Sequence, residues 1–430
     1  MNLVLAILAF NIIVIVHELG HFLAAKKFGI KVLEFSLFMG PKIFSIQRGD
    51  TMYSLRLFPI MAYVKMEGEE ETSDSETAFS NKPKYARALT AFGGPLANLL
   101  LAAVLLTAVF AIQGYATTSI KRVAENSPAT AAGIHPGDKI VSYDGKSVYM
   151  PLDVIQFIYV SKGVPAEVEY IRNGKKFTDT LKPKIIPAST SPKLGVSLGA
   201  EDDVDSNVIR ALSKDFPAEK MGLQVGDRIV ALNDTEIKTA KELMEFVSQN
   251  NLDPIDVKVV RGDSVVNTAI TPIAVKAQEA YDVGIEFAAV KGGIIDSFGQ
   301  AAVFTYSIVR SVVYSLGWLI SGQAKLNEMM GPIGMVSTIS TAVEQAPNFI
   351  EMLLYLMYIT SLMSIAIGAT NLVPFPMLDG GRLVLIGVEA IRGKPISQEK
   401  EAYISMVGFV LIILLGIYAA YNDIVRLVTG

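Results

Sequence analysis

Two histidines and a glutamate lie close together in the stretch "NIIVIVHELGHFLAAKKFG" at positions 11–29. His17 and His21 are four residues apart, so on a helix their imidazoles share one face and both can reach one tetrahedral metal ion. Glu18 projects beside them, where a carboxylate can take a proton from an attacking water molecule. The spacing therefore predicts a metal site in which Glu18 is the base.

This motif follows an apolar run that is long enough to cross a bilayer. An ionisable group inside a membrane segment costs roughly 3 kcal/mol on insertion scales, and such groups normally face a bundle interior or an aqueous cavity. The alternative is a helix end that happens to carry polar residues. The cost of placing all three groups there favours the metal site.

A catalytic zinc site usually has three protein ligands, so one more is needed. The remaining histidine, His135, lies in a predicted surface turn. The acid best placed to serve is Asp379 in "NLVPFPMLDGG" at positions 371–381. Two prolines break the helix before it and two glycines free the backbone after it, so the aspartate can turn inward. "LDGG" alone is typical of a common turn, and its value comes from the combination with the first motif.

The composition indicates membrane segments combined with water-exposed domains. Of 430 residues, 51% are hydrophobic and 19% are charged, with a mean hydropathy of +0.40. The net charge of −4 provides no basic surface, so nucleic acid is not expected as a partner. The absence of cysteine excludes zinc–thiolate and thiol chemistry.

Four apolar runs are predicted to span the bilayer, which requires about 20 residues each. They cover residues 3–25, 89–112, 349–373 and 402–420. Basic residues follow the first run and fill the next loop, which places that loop in the cytoplasm and the N-terminus outside. A fifth stretch, 298–322, carries a central Arg310 and scattered polar residues, and it is predicted to be an amphipathic helix on the outer surface or against the bundle. A fifth crossing would put Asp379 on the opposite side of the membrane from the histidines.

The polar region between the second and third spans contains an internal repeat. "SPATAAGIHPGDKIVSYDG" at 127–145 aligns with "FPAEKMGLQVGDRIVALND" at 216–234. Each copy predicts a short helix, a strand, a second helix and a strand hairpin. The pattern resembles circularly permuted bacterial PDZ domains, which accept extended peptides at a sheet edge. Recognition of a substrate or partner is one interpretation, and passive spacers that limit access are the other.

The combination of motifs resembles the site-2 protease (M50) family of intramembrane zinc metalloproteases. The resemblance implies that His17, His21 and Asp379 bind Zn²⁺, that Glu18 is the catalytic base, and that Asn371 positions the substrate or stabilises the oxyanion. "FGGPLAN" at 92–98 looks like the family's second-helix motif, whose small residues allow close helix approach or simply pack.

"YSLRLFPIMAYVKM" at 53–66 is similar to the family's membrane-dipping β-hairpin, which is thought to present an edge to an extended substrate. The family usually has a Gly-Gly pair where this chain has Met61 and Ala62. "SLFMG" at 36–40 also lacks an expected glycine.

The predicted fold is a polytopic α-helical membrane protein with four transmembrane helices, a membrane-associated β-hairpin and two tandem α/β PDZ domains. The predicted divisions are 1–28 (first span with HELGH), 29–88 (cytoplasmic loop with the hairpin), 89–114 (second span), 115–190 and 191–275 (PDZ domains), 276–347 (extracytoplasmic amphipathic helices), 348–381 (third span with the aspartate motif), 382–401 (cytoplasmic loop) and 402–430 (fourth span).

The expected function is hydrolysis of peptide bonds within the membrane segments of single-span proteins in the bacterial inner membrane, with the PDZ domains outside the cytoplasm. The resemblance implies substrates such as anti-sigma factors in an envelope stress response, and signal-peptide remnants. A non-catalytic PDZ membrane scaffold or a transporter is the main alternative, although neither requires Glu18 between two helical histidines. A membrane-anchored protease acting on soluble substrates would carry its motif in a polar domain.

Overall fold

The computed structural model describes residues 2–69, 73–199, 206–213, 216–250, 252–277, 279–324, 326, 334, 348–394 and 396–429. Much of the predicted amphipathic region, residues 327–333 and 335–347, lies outside the described residues. The helices are α1 Asn2–Lys27, α2 Lys84–Gln113, α3 Pro128–Ala131, α4 Pro151–Val160, α5 Pro217–Lys220, α6 Ala240–Ser248, α7 Ile294–Ile320, α8 Phe349–Asn371, α9 Asp379–Arg392 and α10 Gln398–Thr429, with a short 3₁₀ helix at Phe79–Asn81.

The described strands form two larger sheets, one in each repeated module, and four two-stranded sheets. They are β1 Val32–Arg48, β2 Thr51–Met66, β3 Tyr115–Val123, β4 Lys139–Tyr143, β5 Lys146–Ser147, β6 Ala166–Arg172, β7 Lys175–Leu181, β8 Lys184–Ile186, β9 Ser189–Lys193, β10 Val196–Leu198, β11 Ile209–Leu212, β12 Arg228–Leu232, β13 Thr235–Glu236, β14 Ile255–Arg261, β15 Ser264–Ile270, β16 Ile273–Ala277, β17 Ala280–Asp282 and β18 Ile285–Val290.

Helices α1, α2 and α8 form the bundle that carries the predicted site. Gly20 of α1 meets Gly93 of α2 so closely that a Cβ on Gly20 would lie 2.2 Å from the Gly93 carbonyl oxygen. On the other side of α2, Ser364 Oγ of α8 donates to the backbone oxygen of Asn98 at 2.8 Å. These small residues let the backbones approach, as is common where helices pack in membranes.

Five helices among the described residues are long and apolar enough to cross a membrane by length and composition: α1, α2, α7, α8 and α10. Four of them coincide with the predicted spans. The fifth, α7, contains the stretch that the sequence predicts to be amphipathic.

Helix α7 contacts two different parts of the structure. Near its start, Phe304 packs on Phe110, close to the C-terminal end of α2, with ring centroids 5.7 Å apart. Further along, Arg310 Nη2 lies 2.9 Å from Asp153 Oδ1 of α4. Asp153 is fully buried, and the Arg310 guanidinium also lies over the ring of Tyr149, 4.8 Å from its centroid. The middle of α7 is therefore bound to the first repeated module.

Strands β1 and β2 fold back on themselves to form a meander. Glu34 of β1 is paired with both Lys65 and Met52 of β2, which is possible because both strands bend midway. At the bends Phe38 has φ 69° and Met61 has φ 68°, in the left-handed region that favours glycine. The two positions lie where the sequence lacks the family's usual glycines, so these bends form without them.

The first repeated module contains the predicted short helix, strand, helix and hairpin (α3, β4, α4, β6 and β7). Its sheet has the order β18-β3-β4-β6-β7, so its outermost strand comes from residues after the second copy. Residues 285–290 lie in the region 276–347 that is predicted to form amphipathic helices, whereas in the structure they form an edge strand of this sheet. Strand pairing across more than 160 residues leaves no local pattern that would reveal it.

The second repeated module is a compact unit formed by residues 184–282. Its sheet order is β13-β12-β14-β15, and Ile229, Leu232, Val257 and Val259 form the centre of its core. The same ion pair occurs in both copies: Arg261 bonds Asp227 at 2.7 Å, as Arg172 bonds Asp138 at 2.7 Å. In the second module, hydrogen bonding to Arg261 holds the pKa of Asp227 below its usual value.

Helix α9 corrects the predicted loop at 382–401. A cytoplasmic loop is predicted there from the sequence, but residues 379–392 form a helix that ends at Gly393, which has φ 73°. Asp379 is thus the first residue of a separate helix and not the end of the third span. The helix is amphipathic, which explains why it does not resemble a span.

Candidate metal centre

The three side chains predicted to bind metal meet at one point. Asp379 Oδ2 lies 3.2 Å from His17 Nε2 and 3.4 Å from His21 Nε2. The two Nε2 atoms lie 3.2 Å apart. Within the described part of the chain, this is the one group of three or more His, Cys, Asp or Glu side chains close enough to share a metal ion.

Helix α2 determines how both imidazoles are turned. His21 Nδ1 bonds the backbone oxygen of Thr90 at 2.8 Å. Because a carbonyl oxygen only accepts, His21 Nδ1 carries the proton and Nε2 carries the lone pair. His17 Nδ1 lies 3.3 Å from Asn98 Nδ2. The sequence alone predicts no role for Thr90 or Asn98, which lie eight residues apart on α2, about two helical turns.

Gly94 makes room for His21. A Cβ at position 94 would lie 2.3 Å from His21 Nε2, well inside any van der Waals contact. The glycines of "FGGPLAN" are predicted to allow close helix approach, and the structure confirms this for Gly93. Gly94 also contacts a predicted metal ligand directly.

Asp379 reaches the histidines because the chain turns tightly between α8 and α9. A Cβ on Gly380 would lie 2.3 Å from the Leu372 carbonyl oxygen, and one on Gly381 would lie 2.2 Å from that of Phe375. Only glycine fits at these two positions without displacing the backbone. The "LDGG" sequence therefore provides both the carboxylate and the space for the turn that brings it inward.

Two ion pairs hold α9 against its neighbours. Arg382 pairs with Glu69 of the segment after the β-meander, and Arg87 at the start of α2 pairs with Glu389. The side chain of Arg87 is buried. These pairs join the helix that begins at Asp379 to the other elements around the site.

Glu18 lies beside the cluster and is held by the β-meander. Its Oε2 accepts a hydrogen bond from the backbone N–H of Val64 in β2 at 3.0 Å. The N-terminal half of the same helix is also attached to the meander, since Asn11 Nδ2 donates to the Pro59 carbonyl oxygen at 2.8 Å. The edge of β2 is therefore next to the predicted base.

A cavity of about 990 Å³ opens onto these residues. Its lining includes His17, Glu18, His21, Asp379 and the half-buried Asn371 at the end of α8. Met61, Val64 and Met66 of β2 line another part, and α10 contributes Ser405 and Phe409. The structure therefore brings all five sequence-predicted site residues to one cavity, whereas His135 lies in a turn of the first module.

The donor set suits zinc. Two imidazole nitrogens and one carboxylate oxygen lie within 4.8 Å of one another, and the cavity leaves space for a further ligand. Catalytic zinc sites use such a combination of three protein ligands with an open fourth position. The proton on His21 Nδ1 leaves its Nε2 in the form that binds a metal.

Comparison with known proteins agrees with this site. A family model described as peptidase family M50 matches residues 5–415. The zinc metalloprotease RasP of Geobacillus kaustophilus is 28% identical over 97% of this chain and 96% of its own length. The regulator of sigma-W protease RasP of Bacillus subtilis is 29% identical over 99% of each chain. The regulator of sigma E protease of Haemophilus influenzae is 29% identical over 98% of each.

One solved structure, the HtrA3 PDZ domain bound to a phage-derived ligand, covers 21% of this chain at 23% identity with a TM-score of 0.18, which is too low to support an argument.

The apolar helices, the histidine–carboxylate cluster and these relatives define a zinc metalloprotease of the membrane. The chain belongs to peptidase family M50.

Proposed function

We propose that this protein cleaves single-span membrane proteins inside their membrane segments. The observation that supports this most directly is the position of the five site residues around one cavity. His17, Glu18, His21 and Asn371 lie on the apolar helices α1 and α8, Asp379 begins α9, and the edge of β2 lines another part of the cavity. Ionisable groups within a membrane are expected to face such a cavity.

His17, His21 and Asp379 hold the zinc ion in this proposal. A zinc ion held there would supply the Lewis acidity that polarises the scissile carbonyl and would make a water molecule more acidic. The turn between α8 and α9 keeps the Asp379 carboxylate facing the histidines, and α2 keeps the imidazoles oriented.

Glu18 moves the proton. Val64 N–H fixes Glu18 Oε2, so the carboxylate is already aimed at the cavity before substrate arrives. Glu18 Oε1 takes the proton from the attacking water and returns it to the nitrogen of the leaving amine. Asn371, at the cavity wall, donates its amide N–H to the oxyanion that develops on the substrate.

The substrate segment must be extended where it is cut, because a helix hides its carbonyls in internal hydrogen bonds. Residues that weaken helices, such as glycine, asparagine and proline, should therefore mark the cleavage region. An extended segment placed along the cavity would run beside Val64 and Met66, at the edge of the β-meander.

The names of the relatives suggest the substrate class. One is a regulator of sigma-W protease and another a regulator of sigma E protease. On that basis we propose that this enzyme acts on a membrane-anchored regulator of a sigma factor, in the bacterial cytoplasmic membrane.

We propose four spans, with α7 outside the bilayer. The pair between Arg310 and the buried Asp153 supports this arrangement, because it ties the middle of α7 to the first module. A helix that crossed the membrane at that point could not keep this contact with a water-exposed module. The three-helix bundle then places α1 and α8 in the same direction, with His17, His21 and Asp379 near the cytoplasmic side.

We propose that the two repeated modules are PDZ domains outside the cytoplasm that control which substrates reach the cavity.

The second module can be deleted to test this proposal, since its first and last strands pair at Lys184 and Asp282 and so bring its ends together. Removing residues 184–282 and joining Pro183 to Val283 through a short glycine linker leaves β18 free to complete the first module. The shortened enzyme should cut substrates with bulky external domains that the full chain rejects. Unchanged size discrimination by a folded variant would favour a peptide-binding or spacer role.

The proposed activity can be tested with purified protein in lipid vesicles and two single-span substrates. One carries glycine and asparagine in its membrane segment, and the matched control has leucine throughout that segment. We expect zinc-dependent cleavage of the first substrate, at a bond inside the segment when products are measured by mass spectrometry. Cleavage confined to water-exposed loops would contradict the proposal.

A further inference from the structure

Asn98 is a buried polar side chain in the middle of the bundle with incomplete hydrogen bonding. It is fully buried, and its Oδ1 atom has no hydrogen-bond partner among the residues that the structure describes. Its Nδ2 atom lies 3.3 Å from His17 Nδ1. A buried amide oxygen without a partner is costly, so its presence beside a predicted ligand requires a reason.

The two histidines are supported by the same face of α2. Thr90, Gly94 and Asn98 follow one another at intervals of one helical turn. Thr90 accepts from His21 Nδ1, Gly94 provides the space for the His21 ring, and Asn98 faces His17 Nδ1. His17 thus has a side-chain amide where His21 has a carbonyl oxygen.

We propose that Asn98 is a positioning residue that keeps His17 ready to bind the metal. Rotating the amide by half a turn places Oδ1 where Nδ2 now lies, so that the oxygen accepts a hydrogen bond from Nδ1–H of His17. Nδ1 then carries the proton, and the Nε2 lone pair faces His21 and Asp379. Histidines that bind metals are usually held by such an acceptor on their other nitrogen.

The backbone at Asn98 is held in place by α8, which packs against it at two points. Its carbonyl oxygen accepts from Ser364 Oγ at 2.8 Å. A Cβ added to Gly368 of α8 would lie 3.2 Å from the Asn98 Cβ, so α8 packs directly against it. The amide can rotate about its own bonds, but the residue cannot move away from His17.

The test is the zinc affinity of the full-length protein in detergent, measured by competition with a chromogenic chelator. Asn98→Leu keeps the volume but removes the acceptor, and we expect affinity to fall roughly 10–100-fold. Asn98→Asp can only accept, and we expect it to stay within a few-fold of wild type. Asn11→Leu is the matched control, because Asn11 is also a buried asparagine of the bundle but bonds Pro59 and not a predicted ligand. The zinc affinity of this variant should equal that of wild type.

One further measurement separates positioning from a general loss of structure. The visible absorption bands of the cobalt-loaded protein report ligand geometry, and they should shift in Asn98→Leu but not in Asn11→Leu. If Asn98→Leu does not fold, Asn98→Ala replaces it in the same comparison. The proposal is overturned if folded Asn98→Leu or Asn98→Ala binds zinc as tightly as wild type. It is also overturned if Asn98→Asp is folded but binds zinc as weakly as Asn98→Leu.

This inference rests on the proposed ligand set, and His17→Ala distinguishes the two. If His17→Ala binds zinc as tightly as wild type, both the ligand set and the role of Asn98 are overturned. If His17→Ala loses zinc while Asn98→Leu keeps it, only the role of Asn98 fails.

Discussion

Glu18 is joined to two parts of the molecule at once, since it belongs to the helix that carries the histidines and accepts from Val64 of the β-meander at 3.0 Å. We expect Glu18→Gln to keep this arrangement, because the amide oxygen of glutamine can also accept from Val64 N–H. The amide cannot take a proton from water, so cleavage should fall by at least about 100-fold while bound zinc is retained.

Both effects are measured on one protein preparation, as the amount of zinc bound per chain and as the rate of substrate cleavage. Glu76→Gln is the control, because it removes one carboxylate from an exposed position after the meander. Full cleavage by Glu18→Gln would rule out Glu18 as the base.

Gly94 should affect zinc binding because it provides the space for the His21 ring. In Gly94→Ala the new methyl would lie 2.3 Å from His21 Nε2, so the ring must leave its position opposite Asp379. We expect at least about a tenfold loss of zinc affinity, comparable to loss of an orienting contact. Gly416→Ala is the matched control, because a Cβ at that helical position meets nothing within 4 Å. Equal affinity in both variants would contradict the close contact.

At the residue scale, the sequence is sufficient to predict that the HELGH histidines and Asp379 meet. The helical spacing of the histidines puts them on one face, and few other residues of the chain could serve as the third ligand. It did not reveal Thr90 and Asn98 as their supports. Their contacts join residues 69 and 81 positions apart, and only the antiparallel packing of α1 and α2 brings them together.

At the scale of elements, the β-meander contains a strained bend at Met61, where φ is 68°. The left-handed region costs a residue with a Cβ about 1–2 kcal/mol, and glycine avoids that cost. We expect Met61→Gly to be more stable than Met61→Ala by about 1 kcal/mol. Thermal unfolding of the purified variants measures the difference.

Ala62 provides the control for this prediction, because it follows Met61 but is not among the residues with positive φ. Glycine there brings only extra freedom to the unfolded chain, so Ala62→Gly should destabilise by about 0.5–1 kcal/mol. Destabilisation of similar size by glycine at both positions would show that the bend at Met61 is not strained.

Elements with a strong periodic pattern were predicted correctly, including the long apolar helices and both strand hairpins of the repeat. Helix α9 was missed because it is too polar and too short to be a span, and because Leu378 before it makes no side-chain cap. Its other signals, Asp379 in the first turn, Arg392 in the last turn and Gly393 at its end, are present in the sequence. Tight packing of Gly380 and Gly381 against the preceding turn starts the helix instead.

At the scale of the whole molecule, the second module is an insertion in the sequence of the first: β18 pairs with β3, and residues 184–282, which come between these strands in the chain, form their own unit. An alignment of the two copies shows that they are related, but it cannot show which copy a distant strand joins. This arrangement also places α7 directly after the first module's edge strand, next to the end of α2.

The position of α7 decides whether one metal site is possible. If α7 lay across the membrane, α8 would run in the opposite direction, and Asp379 would be on the other side from His17 and His21. The contact between Arg310 and Asp153, and that between Phe304 and Phe110, instead keep α7 at the end of α2 that adjoins the first module. We therefore expect Ser264 and Ser321 on the outer side, and Glu76 and Ser397 on the cytoplasmic side.

The chain has no cysteine, so single substitutions to cysteine at these four exposed positions can each be labelled without background. Cells are treated with a membrane-impermeant thiol reagent before or after lysis, with any outer membrane first made permeable. Ser264→Cys and Ser321→Cys should react in intact cells, whereas Glu76→Cys and Ser397→Cys should react only after lysis. Cleavage activity in each variant confirms that it is folded. Labelling of Ser397→Cys from outside, together with protection of Ser321→Cys, would mean that α7 crosses the bilayer, and His17, His21 and Asp379 could not then share one zinc ion.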